Sequence, residues 1–571
     1  MAIGRRTFFM AATALAAAVV AACTRGQNGG PAPAAPSLRV RRSLQELQND
    51  YALGNKKPLE DLWRAWAHIK ELPAGDPRSF FTLAGYHGEP FRGQGASEAQ
   101  YWGGYCHHGN VLFPTWHRVY LLKLEDALRS VPGCENVTLP YWDETSADSL
   151  AHGAPWALTW RTVELDGKTI PNPLRSFIFT ADVVDSIGGQ DSIYSKPKGY
   201  ETVRYPLSGL VGTQEYRDKT ANHNAQFPDY DYNVALLNKN ITDWLAGTIK
   251  LEGKPAKRGQ VADQYRACLD APNYTVFSNR TSASQWNKDT GVKPPIVAIE
   301  QPHDGIHLSI GGFDLPDFPG LPGGKLSPIP GANADMGEND TAAMDPIFFF
   351  HHCFVDRVFW LWQKRHGMKM DIIPGYAGTD PFQNPSQGPS ADLDPNQPLD
   401  MNTPLLPFTK ADGTPYTSMD CVDIEAQMGV TYSSGSLEDL SPPPVAGQPP
   451  ATAPVPADTK VVAVSGIDRS QHRGSFLVSL FANVGGERVH VGTQAILSRW
   501  NVEGCANCQT HLQAHAYFSV PPAGTGVLTS AARGSLGAVS DYDVEITTRN
   551  GASPAPSGET APAAALRVAV H

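Results

Sequence analysis

The run Asp345-Pro346-Ile347-Phe348-Phe349-Phe350-His351-His352-Cys353-Phe354-Val355-Asp356 is the most informative part of the chain. Asp345 suits a helix cap and Pro346 a first helical position, where its missing N–H costs nothing, so a helix is expected to begin here. On that helix Asp356 falls one turn after His352 on the same face. A carboxylate so placed can hydrogen-bond a ligand imidazole, or a neighbouring one, and fix its tautomer. A single histidine in an apolar helix would ordinarily be a core or surface residue, but other histidines in the chain change that reading.

Upstream lies His303-Asp304-Gly305-Ile306-His307, an i,i+4 pair whose side chains share one helix face and can grip one ion. Nearer the N-terminus is Cys106-His107-His108-Gly109-Asn110-Val111-Leu112-Phe113-Pro114-Thr115-Trp116-His117-Arg118. Pro114 marks a first helical turn, and Val119, Leu122 and Ala127 continue on a helical period, so His117 is expected at the start of a helix and His108 on the loop before it. His87 sits in a separate apolar stretch. Histidines clustered in this way with carboxylates and aromatics point to a metal. All-imidazole sets without paired thiolates suit copper, zinc, iron or nickel rather than magnesium or calcium, and residue chemistry alone does not choose among the four.

The two histidine regions resemble the two copper-binding halves of tyrosinases and polyphenol oxidases over about residues 62–432. The pattern Asp345-Pro346-x-Phe348-Phe349-x-x-His352-x-x-x-Asp356 matches that family at every fixed position. The resemblance implies a mainly α catalytic domain, a loop-rich helix bundle holding two copper ions. His87, His108 and His117 would bind the first copper, and His303, His307 and His352 the second. The nine-residue step from His108 to His117 is the family's, which leaves His107 and His351 as non-ligands. Cys106 stands two residues before His108, where fungal members join cysteine sulfur to the ring, so a thioether is implied here. Glu300 matches the family's carboxylate that holds a water near the second copper, and such a water can take the phenolic proton. Many monophenol-hydroxylating members carry asparagine where this chain has Asp304, which can still orient that water as an acceptor. The implied activity is hydroxylation of monophenols to o-diphenols and oxidation of o-diphenols to o-quinones by dioxygen, with phenolic small molecules and dioxygen as partners. A catechol oxidase confined to o-diphenols and a haemocyanin-like oxygen-binding protein are the alternative readings.

The rest of the chain frames this region. Its 571 residues exceed one core, so at least two are expected. The net charge of -11 offers no basic face to nucleic acid, which is discounted as a partner. Eight cysteines are too sparse for a disulfide scaffold. Residues 1–23 read as a targeting segment, with Arg5-Arg6 before an apolar run resembling a twin-arginine signal and Val20-Ala21-Ala22-Cys23 resembling a lipoprotein box. An exported, periplasmic or cell-envelope protein is expected, with a lipidated Cys23 as a membrane tether; an oligomer is left open. Residues 24–37 form a Gly/Pro/Ala-rich flexible tether and 38–439 the copper domain. Residues 440–458 are a Pro-rich linker. Short β-branched runs then imply a C-terminal β-sandwich over 459–571. That part resembles the lid of longer polyphenol oxidases, with an apolar plug expected between Ile496 and Trp500. Cys505 and Cys508, followed by His511 and His515, have spacing that suits copper loading, a disulfide or structural thiol pair, or zinc.

Overall fold

A computed structural model describes residues 38–88, 105–185, 193–246, 249–251, 254–256, 261–313, 331–381, 397–440, 459–472, 474–484, 486–498, 500, 512–520, 538–549 and 566–571. The expected signal, tether and linker, together with Cys23, Cys505, Cys508 and His511, lie outside the described residues, apart from Leu440 at the edge of the linker. From Arg39 onward the chain forms one compact unit.

The catalytic body is helical, and its central helices are buried on every side. Of Ile347–Arg365 only Lys364 escapes burial, and of Glu300–Gly311 only Gln301. A helix apolar all round is stable only when protein encloses it, and each fully buried Phe of Ile347–Arg365 contributes roughly 1.5–3 kcal/mol toward holding it there. Phe113–Arg129 has Pro114 in its first turn, as expected, and is almost as deeply buried. The outer helix Lys57–Glu71 is amphipathic and turns Leu59, Leu62, Trp63, Trp66 and Ile69 inward. Trp66 meets Phe349 and Phe350 at 6.0 and 5.6 Å between ring centroids, which joins the outer layer to the central helix. The start of that helix lies one residue later than the sequence suggests. Pro346 takes the cap position, while Asp345 accepts the Ile347 N–H at 3.1 Å and forms a two-pronged ion pair with Arg204 at 2.8 and 2.7 Å.

The C-terminal region is sheet-rich. Phe476–Val484 pairs antiparallel with Glu487–Ile496 on one side and Tyr542–Thr548 on the other. Lys460–Asp468 pairs antiparallel with Gln513–Val520 and Arg567–Val570. Val462, Val464, Phe476, Val478, Leu480 and Phe518, drawn from both three-stranded sheets, share one apolar cluster. The strand Phe476–Val484 shows why the region is not independent of the body. Residues 476, 478, 480 and 482 face the sheets' own cluster, while Leu477 and Phe481 belong to the large cluster of the catalytic body. Side chains alternate along a strand, so its unbroken apolar run serves two cores at once. Ala495 and Leu497 join the body cluster as well.

Candidate metal centre

Six buried histidines stand in two adjoining triangles. His87 follows the short helix Phe80–Gly85, His108 lies on the loop before Phe113–Arg129, and His117 is one turn into that helix. Their ring centroids are 5.4, 5.5 and 5.4 Å apart. His303 and His307 share a face of Glu300–Gly311, and His352 reaches them from Ile347–Arg365, with centroid separations of 4.5, 4.8 and 5.6 Å. The triangles touch where His117 stacks on His352 at 4.5 Å and where His108 lies 5.7 Å from His303.

The surrounding backbone sets which nitrogen each ring presents. Nδ1 of His87, His117 and His307 lies 3.1, 2.8 and 2.8 Å from the carbonyl oxygens of Asn339, Phe113 and Met336. A carbonyl can only accept, so Nδ1 carries the proton and Nε2 offers its lone pair. His303 Nδ1 is fixed likewise by Asp304 Oδ1 at 3.0 Å. His352 Nε2 then sits 3.2 Å from His303 Nε2 and 3.3 Å from His307 Nε2. A single proton on His352 would serve at most one of these contacts in good geometry, whereas a cation can accept from all three. In the other triangle the buried Nε2 atoms of His108 and His117 have no hydrogen-bond partner. Each such atom costs about 1–3 kcal/mol unless something binds it. Burial keeps all six rings neutral, holding His117 and His307 at about 3 and the other four well below the usual imidazole range. Neutral buried imidazoles aimed at common points are the donor set that copper takes.

The neighbouring histidines are used differently. His107 Nδ1 lies 3.2 Å from the Asn110 amide nitrogen. His351 stacks on His303 and turns Nδ1 to Glu144 at 2.6 Å, so that nitrogen is committed to a carboxyl group. His351 is nonetheless close enough to belong to one buried group with His303, His307 and His352. Cys106 is buried, and its Sγ is 3.3 Å from His108 Nδ1. Glu300 accepts the backbone N–H groups of Gly109 at 2.6 Å and Arg280 at 2.9 Å, which locks both carboxylate oxygens in orientation. Asp304 divides its oxygens between His303 and Arg280 Nη1, the latter at 3.0 Å. Burial pushes its carboxyl upward, with Arg280 opposing and Glu300 reinforcing the rise.

Asp356 departs from the sequence expectation. Its oxygens meet Arg118 Nε at 2.6 Å, the Tyr432 hydroxyl, and Arg41 Nη1 at 3.5 Å, and no imidazole. The face it shares with His352 is correctly placed, but two buried guanidinium groups brought in by other segments claim the carboxylate. Backbone carbonyls instead set the tautomers of His87, His117 and His307, and Asp304 that of His303. Sequence reasoning missed Glu144, Arg280 and the carbonyls of Asn339 and Met336, which reach the site through tertiary packing and carry no short-range motif.

The family model "Common central domain of tyrosinase" matches residues 77–365. The chain is 52% identical to tyrosinase HcTyr2 of Hahella sp., over 84% of this chain and 88% of that protein. It is 40% identical to a tyrosinase of Aspergillus oryzae, again over 84% and 88%. The structure of a tyrosinase from Burkholderia thailandensis at low pH superposes with a TM-score of 0.76 at 47% identity, covering 90% of this chain and 96% of that one.

Proposed function

This chain belongs to the tyrosinase family, and from that premise we propose how its residues divide the work of phenol oxidation. It is a tyrosinase: an oxidoreductase with two copper ions that hydroxylates monophenols to o-diphenols and oxidises o-diphenols to o-quinones. His87, His108 and His117 hold one copper and His303, His307 and His352 the other; the two adjoining histidine triangles carry this reading. Copper held there would supply the redox chemistry by which dioxygen oxidises the phenol. The protein's own groups orient the ring and handle its proton. Glu300, pinned by Gly109 and Arg280, holds a water beside the second copper that accepts the phenolic proton. Asp304 acts chiefly through His303, whose ring it orients. Cys106, with Sγ 3.3 Å from His108 Nδ1, is placed for a thioether to a carbon of that ring; the S–C bond would replace the S–H and one ring C–H, with dioxygen as the two-electron oxidant.

The C-terminal region, read as a β-sandwich, serves as a lid. Supporting this, Arg280 Nη1 donates to Ala495 O at 2.7 Å, and Leu477, Phe481 and Leu497 pack into the body cluster. Two apolar residues of the expected stretch meet the body: Leu497 joins its large cluster, and Trp500 packs with Ile193, Tyr194 and Leu210. Arg5-Arg6 directs export, a lipidated Cys23 tethers the protein to the envelope, and Cys505 with Cys508 handles copper during loading. No helix among the described residues is long and apolar enough to cross a membrane. Metal analysis of purified protein tests the ligand assignment. Two coppers per chain are expected in the parent and about one in His117→Ala and in His307→Ala; unchanged copper in either variant would remove that residue from the set.

A further inference from the structure

A polar cavity lies between the body and the C-terminal sheets. It encloses about 450 Å³ and is lined by Arg280, Gln285 and Lys288 from the body and by Arg469, Gln513 and His515 from the C-terminal region. Arg469 is 7% exposed, and its Nε is buried without a hydrogen-bond partner. Among the described residues its guanidinium forms no ion pair. Glu300 and Asp304 attract it through space but are already engaged by Gly109, Arg280 and His303. Burial and the nearby Arg280 together draw Arg469 down to about 10. Asp289 is the acidic residue in the lining. A buried cation whose donors lack an acceptor is costly, and the ordinary remedy is an anion that accepts them. A guanidinium matches the two oxygens of a carboxylate or phosphate, and here cations from both sides of the seam meet in one space.

We propose that this cavity is a binding site for a small oxyanion, a phosphate or a carboxylate, held between Arg469 of the lid and Arg280 and Lys288 of the body. Bound there, the anion bridges like charges across the seam and strengthens the closed arrangement. The site itself does not depend on the lid reading; only its effect on activity does.

The test is calorimetric titration of copper-loaded full-length protein with inorganic phosphate and, separately, with acetate, at ionic strength held constant with sodium chloride. Saturable binding of one or both is expected in the parent, weakened at least tenfold in Arg469→Gln and in Lys288→Gln. The tighter ligand identifies whether phosphate or carboxylate is the better occupant. Removing a cation that lacks a partner should also leave Arg469→Gln folded, with a melting temperature no lower than the parent's when phosphate is absent and no gain when it is added. Lack of saturable binding by either anion in the parent, or binding unchanged in both variants, would overturn the proposal. In parallel, phosphate should slow diphenol oxidation by the parent and not by Arg469→Gln. Binding without that slowing would retain the site and contradict the lid.

Discussion

At the scale of single residues, two histidines adjacent in sequence have opposite duties. His352 Nε2 faces His303 and His307, whereas His351 commits Nδ1 to Glu144. His352→Asn should therefore lose one copper per chain and roughly three orders of magnitude in turnover, about 4 kcal/mol of barrier. His351→Asn should keep both coppers, and metal analysis beside oxygen uptake distinguishes the two. Asp304 makes a finer case because it touches a ligand rather than the metal. Asp304→Ala removes the acceptor that orients His303, so affinity for the second copper should fall about 10–100-fold. Asp304→Asn keeps an acceptor oxygen in place and should restore most of it, as read by competition with a copper chelator. Equal loss in both variants would mean that the charge of Asp304, not its hydrogen bond, is what matters.

At the scale of elements, the helix Ile347–Arg365 ties the site to the framework. Its His352 faces His303 and His307, and one turn later Asp356 joins Arg118, Arg41 and Tyr432. Asp356→Ala takes the carboxylate from buried Arg118, while Arg41 keeps Glu125 at 2.9 Å, and should destabilise the protein by about 3–5 kcal/mol, a shift visible in the denaturation midpoint of copper-loaded protein. Copper content of the protein that remains folded should not change; its loss would return Asp356 to the ligand-orienting role that spacing alone suggests. This contrast marks how far the sequence could be read. Helix periodicity and Pro114 and Pro346 located the histidine helices, and i,i+4 spacing paired His303 with His307, because those relations are local. Asp356 was placed on the right face and given the wrong partner, because Arg41 and Arg118 arrive from segments far away in the chain. Arg280 and the carbonyls of Asn339 and Met336 were invisible for the same reason.

At the scale of the whole molecule, the expected boundary between a helical domain and a sheet domain conceals a shared core. The apolar runs after residue 459 read correctly as strands, yet both faces of Phe476–Val484 are buried, one against each core, which a run without alternation cannot reveal. The seam is further pinned by Arg549, buried at 2% exposure and paired with Glu338 and with the carbonyl of Gly311. Gly337 lies so close that a Cβ there would stand 2.7 Å from that guanidinium. Arg549→Ala removes the buried guanidinium that links Glu338 and the carbonyl of Gly311 to the sheets, so the seam should loosen and diphenol turnover should rise several-fold in uncleaved protein. Cleavage within residues 441–458 should raise it further, though Leu477, Phe481 and Leu497 will hold the cut lid in place until denaturant or dilution releases it. Unchanged turnover after both treatments would show that the sheets stabilise the body without covering its site.

The claim beneath all of this is that two coppers held by six histidines turn over phenols, and oxygen uptake by copper-replete protein tests it most directly, with a monophenol and its o-diphenol as substrates before and after cleavage within residues 441–458. Consumption of oxygen with both substrates, accompanied by quinone absorbance, is the result predicted. No uptake with either substrate from cleaved protein carrying two coppers per chain would contradict it.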